Sequence, residues 1–216
     1  MRLRTRITLL CCTVIAAVSG LTVPAQAAPV VLAQGYHDAI DVQYNGGRLE
    51  LWVLDNSVSP PLVRDPANVV FQVKPSAQAA VPNRPEFAFL GSPGAPVWIL
   101  PQTENQDLLW PTITTWHVPA GVFRNDQLTV RLLNVQGPNG FSMFTTRLGS
   151  VSVHYDSEDG LPDSLTLGLT RLHAAWAFEA TGTYTLTFEV AGTRASDGAL
   201  LFSNPVQYHF VVGGLS

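Results

Sequence analysis

The chain has 216 residues, 12 Lys and Arg against 16 Asp and Glu, a net charge of −4, and only 13% charged residues. Three of its bases, Arg2, Arg4 and Arg6, fall at the start, so without residues 1–27 nine bases face 16 acids, a net of −7. Lys74 is the only lysine. That balance argues against nucleic acid and anionic membranes as partners, which are bound through clustered cations.

The first element reads as an export signal: three arginines, an apolar run from Ile7 to Val18, then Pro24 and the small-x-small site Ala25-Gln26-Ala27. Ser19, Gly20, Thr22 and Pro24 interrupt the run before it reaches the roughly 20 residues a spanning helix needs. Cleavage after Ala27 is expected, giving a secreted or cell-wall-associated product that does not span the membrane. Cys11 and Cys12 both lie in the signal and lack the lipoprotein pattern Leu-small-small-Cys. The mature chain therefore has no thiol, no disulfide and no thiolate ligand, and its core must hold without covalent staples. The terminus Phe210-Val-Val-Gly-Gly-Leu-Ser216 carries no sorting motif or apolar tail, so covalent anchoring is not expected.

Sparse charge, abundant Pro and Gly, and short runs of Val, Thr and aromatics read as all-β. The expected architecture is one antiparallel β-sandwich over residues 28–216, Ig-like or jelly-roll-like, with an Ig-like portion over 128–212. Two sandwiches split near residue 120 are the alternative. Asp38–Tyr44 and Arg48–Leu54 flank Asn45-Gly46-Gly47, residues that accept the positive φ of a tight hairpin turn. Ile40 and Val42 share a face, as do Leu49, Leu51 and Val53, while Trp52 points to the opposite one. Further strands are expected at Asn68–Lys74, Val97–Leu100, Leu128–Val135, Phe141–Thr145, Val151–Tyr155, Leu165–Leu169, Tyr184–Val190 and Val206–Val212. Ala174–Ala180 permits a short helix by its alanines, but Trp176 and Phe178 at spacing two favour a strand. Residues 75–119 carry eight of the 16 prolines and three of the five tryptophans. They read as a long ordered Pro/Trp-rich loop packed over the sandwich and kept out of central sheet positions, the kind of segment that often carries binding sites.

Several motifs recur in one order along the chain. They are His37-Asp-Ala-Ile-Asp-Val42 with Gly47-Arg-Leu-Glu-Leu51, Phe89-Leu-Gly-Ser-Pro-Gly94, Val97-Trp-Ile-Leu-Pro-Gln102 with Leu108-Leu-Trp-Pro111, Asp159-Gly-Leu-Pro-Asp-Ser-Leu165, and Trp176-Ala-Phe178 with Gly182-Thr-Tyr-Thr-Leu186. The ordered set resembles the choice-of-anchor M family of actinobacterial surface proteins, and the C-terminal third is similar to their short wall-associated repeat. The resemblance implies an extracellular, non-enzymatic binding or metal-handling component associated with an ABC transporter of the zinc and manganese uptake type. Relatives carry His-x-His-x-Asn-Trp before the Gly-Thr-Tyr strand and a His near the Asp that opens the first hairpin. On that pattern His173 fills the second His position, while Arg171 and Ala175 replace the first His and the Asn. Either Tyr36 or His37 stands at the N-terminal His position.

A strand bearing His-x-His sets two imidazoles on one face about 7 Å apart, able to grip zinc or copper with a third ligand from elsewhere. Here one imidazole is an arginine. The remaining candidate metal set is His37, Asp41 (or Asp38) and His173, with His154 and His209 in reserve and His117 read as structural. Asp156-Ser-Glu-Asp-Gly160 is an acidic turn rather than an EF-hand, since Leu167 stands where the bidentate Glu belongs. Cleavage would expose Ala28, which argues against a copper oxygenase that uses an N-terminal His. No Gly-x-Ser-x-Gly, His-Glu-x-x-His or phosphate loop occurs, and nothing selects a catalytic pair from Glu50, Glu86, Glu104 and Glu179. A competing expectation is a glycan-binding or protein-interaction module at the cell wall, with Trp98, Trp110 and Trp116 presenting flat faces to sugar rings. The bland alternative is that these three pack as core.

Overall fold

The computed structural model describes residues 28–214, and the export segment read over residues 1–27 lies outside them. In chain order the strands are β1 (Val30–Leu32), β2 (Gly35–Asn45), β3 (Arg48–Asp55), β4 (Leu62–Arg64), β5 (Val69–Val73), β6 (Gln78–Ala80), β7 (Pro96–Leu100), β8 (Leu109–Thr114) and β9 (Leu128–Gln136). They continue as β10 (Phe141–Arg147), β11 (Ser150–Asp156), β12 (Asp163–Leu167), β13 (Arg171–His173), β14 (Ala175–Phe178), β15 (Gly182–Thr193), β16 (Leu200–Phe202) and β17 (Val206–Val212). Helical structure among the described residues is confined to short 3₁₀ segments. None is long and apolar enough to cross a membrane.

These strands form three sheets. Sheet I runs β1-β5-β17-β15-β9-β12 with β16 beside β15, sheet II runs β13-β8-β2-β3-β4, and sheet III runs β11-β10-β14-β7-β6. Sheets II and III both lay their apolar faces on sheet I, giving the expected all-β sandwich around one continuous core. Trp176 of sheet III is fully buried and meets Phe210 and Phe188 of sheet I at ring distances of 5.7 and 6.4 Å. Tyr208 of sheet I donates its hydroxyl to the Trp52 carbonyl of sheet II at 3.4 Å. A buried aromatic contributes several kcal/mol, so this cluster does the work that disulfides do in smaller secreted domains.

The hairpin forms as its residues dictate: Asn45 pairs with Arg48, and Gly46 and Gly47 take φ of 55° and 84° between them. Three features differ from expectation. The sandwich is not purely antiparallel, because β1–β5, β5–β17 and β2–β8 pair in parallel. The strands of 128–212 do not form a unit of their own: they are spread over all three sheets, and every sheet mixes strands from before and after residue 120. The Pro-rich segment is only partly a loop, for besides the strand expected at Val97–Leu100, which is β7, it supplies β6 and β8.

Pro111 lies inside β8, the second of five strands in sheet II, against the expectation that proline keeps this segment out of central sheet positions. It stands one residue outside the β13 ladder, which begins with the Thr112–His173 pair, so no neighbour on that side needs its missing N–H. The remainder does pack over the sandwich. Phe87 and Phe89, in the 3₁₀ segment Pro85–Leu90, set their rings 6.0 and 5.2 Å from Phe144 and cover the second apolar cluster, on the other side of sheet III.

At the end of the sandwich where β10 begins, Glu179 lies beside Glu158 and Asp156, and one of its carboxyl oxygens is buried without a partner. A Cβ at Gly140 would come within 2.7 Å of that oxygen, so glycine there makes room for the acid. Burial first, then the neighbouring Glu158 and Asp156 charges, push the Glu179 pKa up to about 7. Because the folded-state pKa exceeds the ordinary glutamate value of 4.5, the stability this group contributes is full below that value and is lost as pH rises through about 7. Glu179→Gln should therefore gain stability relative to the wild type between pH 5 and pH 8, measured as the difference in thermal midpoint at the two pH values. An equal difference at both would show that Glu179 ionises normally in the fold.

Candidate functional site

The outward face of sheet II is where polar and aromatic side chains gather, and a β-bulge puts them there. Residues 38 and 41, an odd number apart, would point to opposite sides of a regular strand. In β2 the register slips between Asp38 and Ile40 against β8, and between Asp38 and Asp41 against β3. The extra residue turns Ala39 and Ile40 into the core and leaves both aspartates on the outward face. On the same face β8 contributes Trp110, Thr112 and Thr114, and β13 contributes Arg171, paired with Thr114, and His173, paired with Thr112.

Asp38 is fully buried. One carboxylate oxygen accepts from the Tyr36 hydroxyl at 2.5 Å, the Thr112 hydroxyl at 2.8 Å and the Thr114 hydroxyl, and the Arg171 Nε lies 3.7 Å away. The other oxygen accepts from Asn56 Nδ2 at 3.4 Å. Burial alone would raise its pKa, but the Thr114, Tyr36 and Thr112 hydroxyls, aided by the Arg171 charge, outweigh that and hold it below the ordinary carboxylate value. Tyr36 is pushed the other way, to about 12, by burial and then by its bond to this carboxylate. Asp41 is equally buried and accepts from Gln43 at 2.8 Å, with His117 Nδ1 2.7 Å away. Its pKa is raised, because burial outweighs the Gln43 and His117 contacts and the nearby Asp38 charge adds to it.

Above Asp38 lies an aromatic stack. The His173 ring sits on Trp110 with centroids 4.4 Å apart and planes 26° apart, and Tyr36 leans on both at 5.4 Å from Trp110 and 6.1 Å from His173. The Trp110 indole N–H is tied to the Gln102 carbonyl at 3.1 Å. His173 Nδ1 is buried with no hydrogen-bond partner in the protein. Its pKa is lowered, by burial first, with Asp38 opposing and Arg171 assisting.

The three residues of the expected metal set are not brought together. His37 lies on the inward side, paired with Asp55 rather than facing Asp41. Its Nε2 donates to the Gln34 carbonyl at 3.1 Å and its Nδ1 accepts the Asn56 amide at 3.3 Å. A carbonyl can only accept and an amide N–H can only donate, so these contacts define a neutral imidazole with both nitrogens in use. Its 3.4 Å approach to Asp55 is accordingly not a charged pair, and burial lowers its pKa in keeping with that. Asp55 is engaged by Arg64 at 2.7 Å and by Ser57. Asp41 faces His117, and His173 faces Trp110. Among the described residues no three His, Cys, Asp or Glu side chains are placed to hold a metal ion. His154 and His209 lie near Thr145 and Thr185.

The three candidate tryptophans are likewise separated. Trp98 is buried at 8% exposure and pairs across the sheet with Phe178. Trp110 has a face covered by His173, and Trp116 is 62% exposed. Tyr36, Thr112, Thr114 and the Asp41–His117 pair were not legible as a site. The alternation Trp110-x-Thr112-x-Thr114 was the available signal, masked by Pro111.

Comparison with protein-family models, with curated proteins and with solved structures finds no match.

Replacing Thr114 by Val keeps the shape and removes one donor from the buried Asp38 carboxylate. The substitution should cost about 1–3 kcal/mol at neutral pH. Because the lost bond favours the ionised form, the penalty should be full at neutral pH and be lost only as pH falls through the folded-state pKa of Asp38, which lies below the ordinary carboxylate value; denaturant unfolding followed from pH 7 down through and below the carboxylate range checks this. An acid limb of the stability curve unchanged from the wild type would mean that Asp38 is not the group served.

Proposed function

We propose that this chain is an exported, non-catalytic binding protein of the cell exterior, related to the choice-of-anchor M surface proteins, whose ligand meets the outward face of sheet II. The observation that carries this reading is the division between spent and unspent groups there. Asp38 is buried, hydrogen-bonded on both oxygens and held below the ordinary carboxylate pKa by those bonds. A carboxylate so placed is a poor general base and a good orienting group. What remains available around it and donates is the Arg171 guanidinium, its side chain 43% exposed, while His117, at 35%, already gives its Nδ1 to Asp41. A guanidinium on a rigid sheet suits a ligand rich in oxygen acceptors, and a cell-wall fragment bearing carboxylates and amide carbonyls fits an exported protein. A role beside a metal transporter rests on the resemblance, and His173, with its unpartnered Nδ1, is the residue through which it would act.

The test is NMR titration of the mature chain with soluble peptidoglycan fragments and, separately, with zinc and copper, following the Trp110 indole signal. Saturable shifts with the wall fragments, abolished by Arg171→Ala and kept by His154→Ala, are the expected result. Absence of saturable shifts with the fragments would refute the ligand class. Metal binding lost in His173→Ala but retained in Arg171→Ala would replace it with the metal-handling reading.

A further inference from the structure

The outward face of sheet I carries a hollow in a different sheet from the Asp38 cluster. Its volume is about 380 Å³, and Gln127, Thr129, Thr166, Thr193 and Leu200 are among the residues lining it. That volume lies within the range of small-ligand clefts. Register explains its shape. Thr166 pairs with Thr129, Thr129 with Ala191, and Ala191 with Phe202, so one row crosses β12, β9, β15 and β16 with a small residue in its middle. Cross-strand partners share a face, so Phe202 rises beside the Ala191 gap, and Leu200, paired with Thr193, rises in the next row. Leu200 and Phe202 are 59% and 51% exposed, while Leu201 between them turns inward to the core. The short strand β16 thus spends two of its three residues on an outward apolar shelf.

The rim is built differently from ordinary turns. Asn125 and Asp126, consecutive and neither of them glycine, both hold positive φ, 56° and 51°. The Asp126 carboxylate accepts the Gly121 amide at 2.6 Å, which ties the loop down and leaves Asn125 and Arg124 exposed along the hollow. Strained residues beside a cleft are a mark of binding loops. The hydrogen-bonding groups here are a set of threonine hydroxyls and two carboxamides, with Arg124 the one formal charge among the lining residues.

We infer that this hollow is a carbohydrate subsite for a neutral hexose oligosaccharide. A sugar ring offers an apolar C–H face and a fringe of hydroxyls that both donate and accept. The exposed Leu200 side chain matches the first, and the Thr129 and Thr166 hydroxyls, paired 3.0 Å apart, with Gln127 and Thr193 match the second. An anionic polymer would meet only Arg124, and a protein partner would leave this row of small polar side chains under-packed. The site is independent of the one proposed on sheet II, and either can fail alone.

The test is ¹H–¹⁵N NMR of the mature chain titrated with cellotetraose, with maltotetraose and chitotetraose as further neutral probes. Saturable shifts confined to the amides of residues 124–129, 166 and 191–202 are expected with at least one of them. Leu200→Ala should weaken binding about tenfold, the loss of one apolar contact. Thr166→Val, on the exposed edge strand, provides a second variant should Leu200→Ala not fold, and it should weaken binding as well. Absence of saturable shifts with all three sugars, or shifts unchanged by a variant whose thermal unfolding matches the wild type, overturns the assignment.

Discussion

Residues 171–178 have to serve two sheets at once, and the molecule is arranged around that demand. Arg171, Leu172 and His173 pair with β8 in sheet II, and Ala175 to Phe178 pair with β10 and β7 in sheet III. Ala174, fully buried, is the crossing point. A larger residue there would have to displace the core packed about it, because interiors have no spare volume. The crossing joins two kinds of surface within a few residues: Arg171 and His173 face outward beside Asp38, and Trp176 and Phe178 face inward against Phe210. The polar cluster on β13 is therefore separated by a single residue from β14, which anchors the aromatic core.

Burying Asp38 as an anion is costly unless its hydrogen-bonding capacity is met, and the sheet meets it from three directions. Tyr36 comes from its own strand, Thr112 and Thr114 from β8, and Asn56 from beyond β3. The parallel pairing of β2 with β8 is what brings Thr112 level with Asp38. The bulge at Ala39 then adds Asp41 to the same face, where a second acid raises the electrostatic cost. His117 on Asp41 and Arg171 near Asp38 offset it with one basic group each.

The inward faces were legible in the sequence because burial imposes period two. β17 spans Val206–Val212 as the alternation indicates, and the Gly46-Gly47 turn follows from φ alone. What did not read through were events that break the period or join distant strands. Ala39 has nothing to mark it as a bulge. Pro111 argued against a strand that the ending of β13 makes permissible. His37 and His173 looked alike as candidate ligands, yet one is a neutral structural imidazole turned inward and the other an outward ring stacked on Trp110. That difference is set by the parity of two strands and by which backbone groups end beside them, and single-residue chemistry does not encode it.

This sandwich spends most of its inward faces on the core, and the candidate recognition chemistry sits on the outward ones. The two outward faces described here differ in kind. On sheet II two buried aspartates are engaged by hydroxyls, amides and an imidazole, which fixes their positions and leaves the Arg171 guanidinium at the rim. On sheet I the groups are neutral, the floor is the small Ala191, and the apolar shelf is supplied by a strand only three residues long. Side chains that already hold one another are preorganised, and on sheet I the Thr129 and Thr166 hydroxyls do so at 3.0 Å without any charge. A ligand on sheet II should therefore be read by charge and geometry. A ligand on sheet I should be read by shape and by neutral hydroxyls.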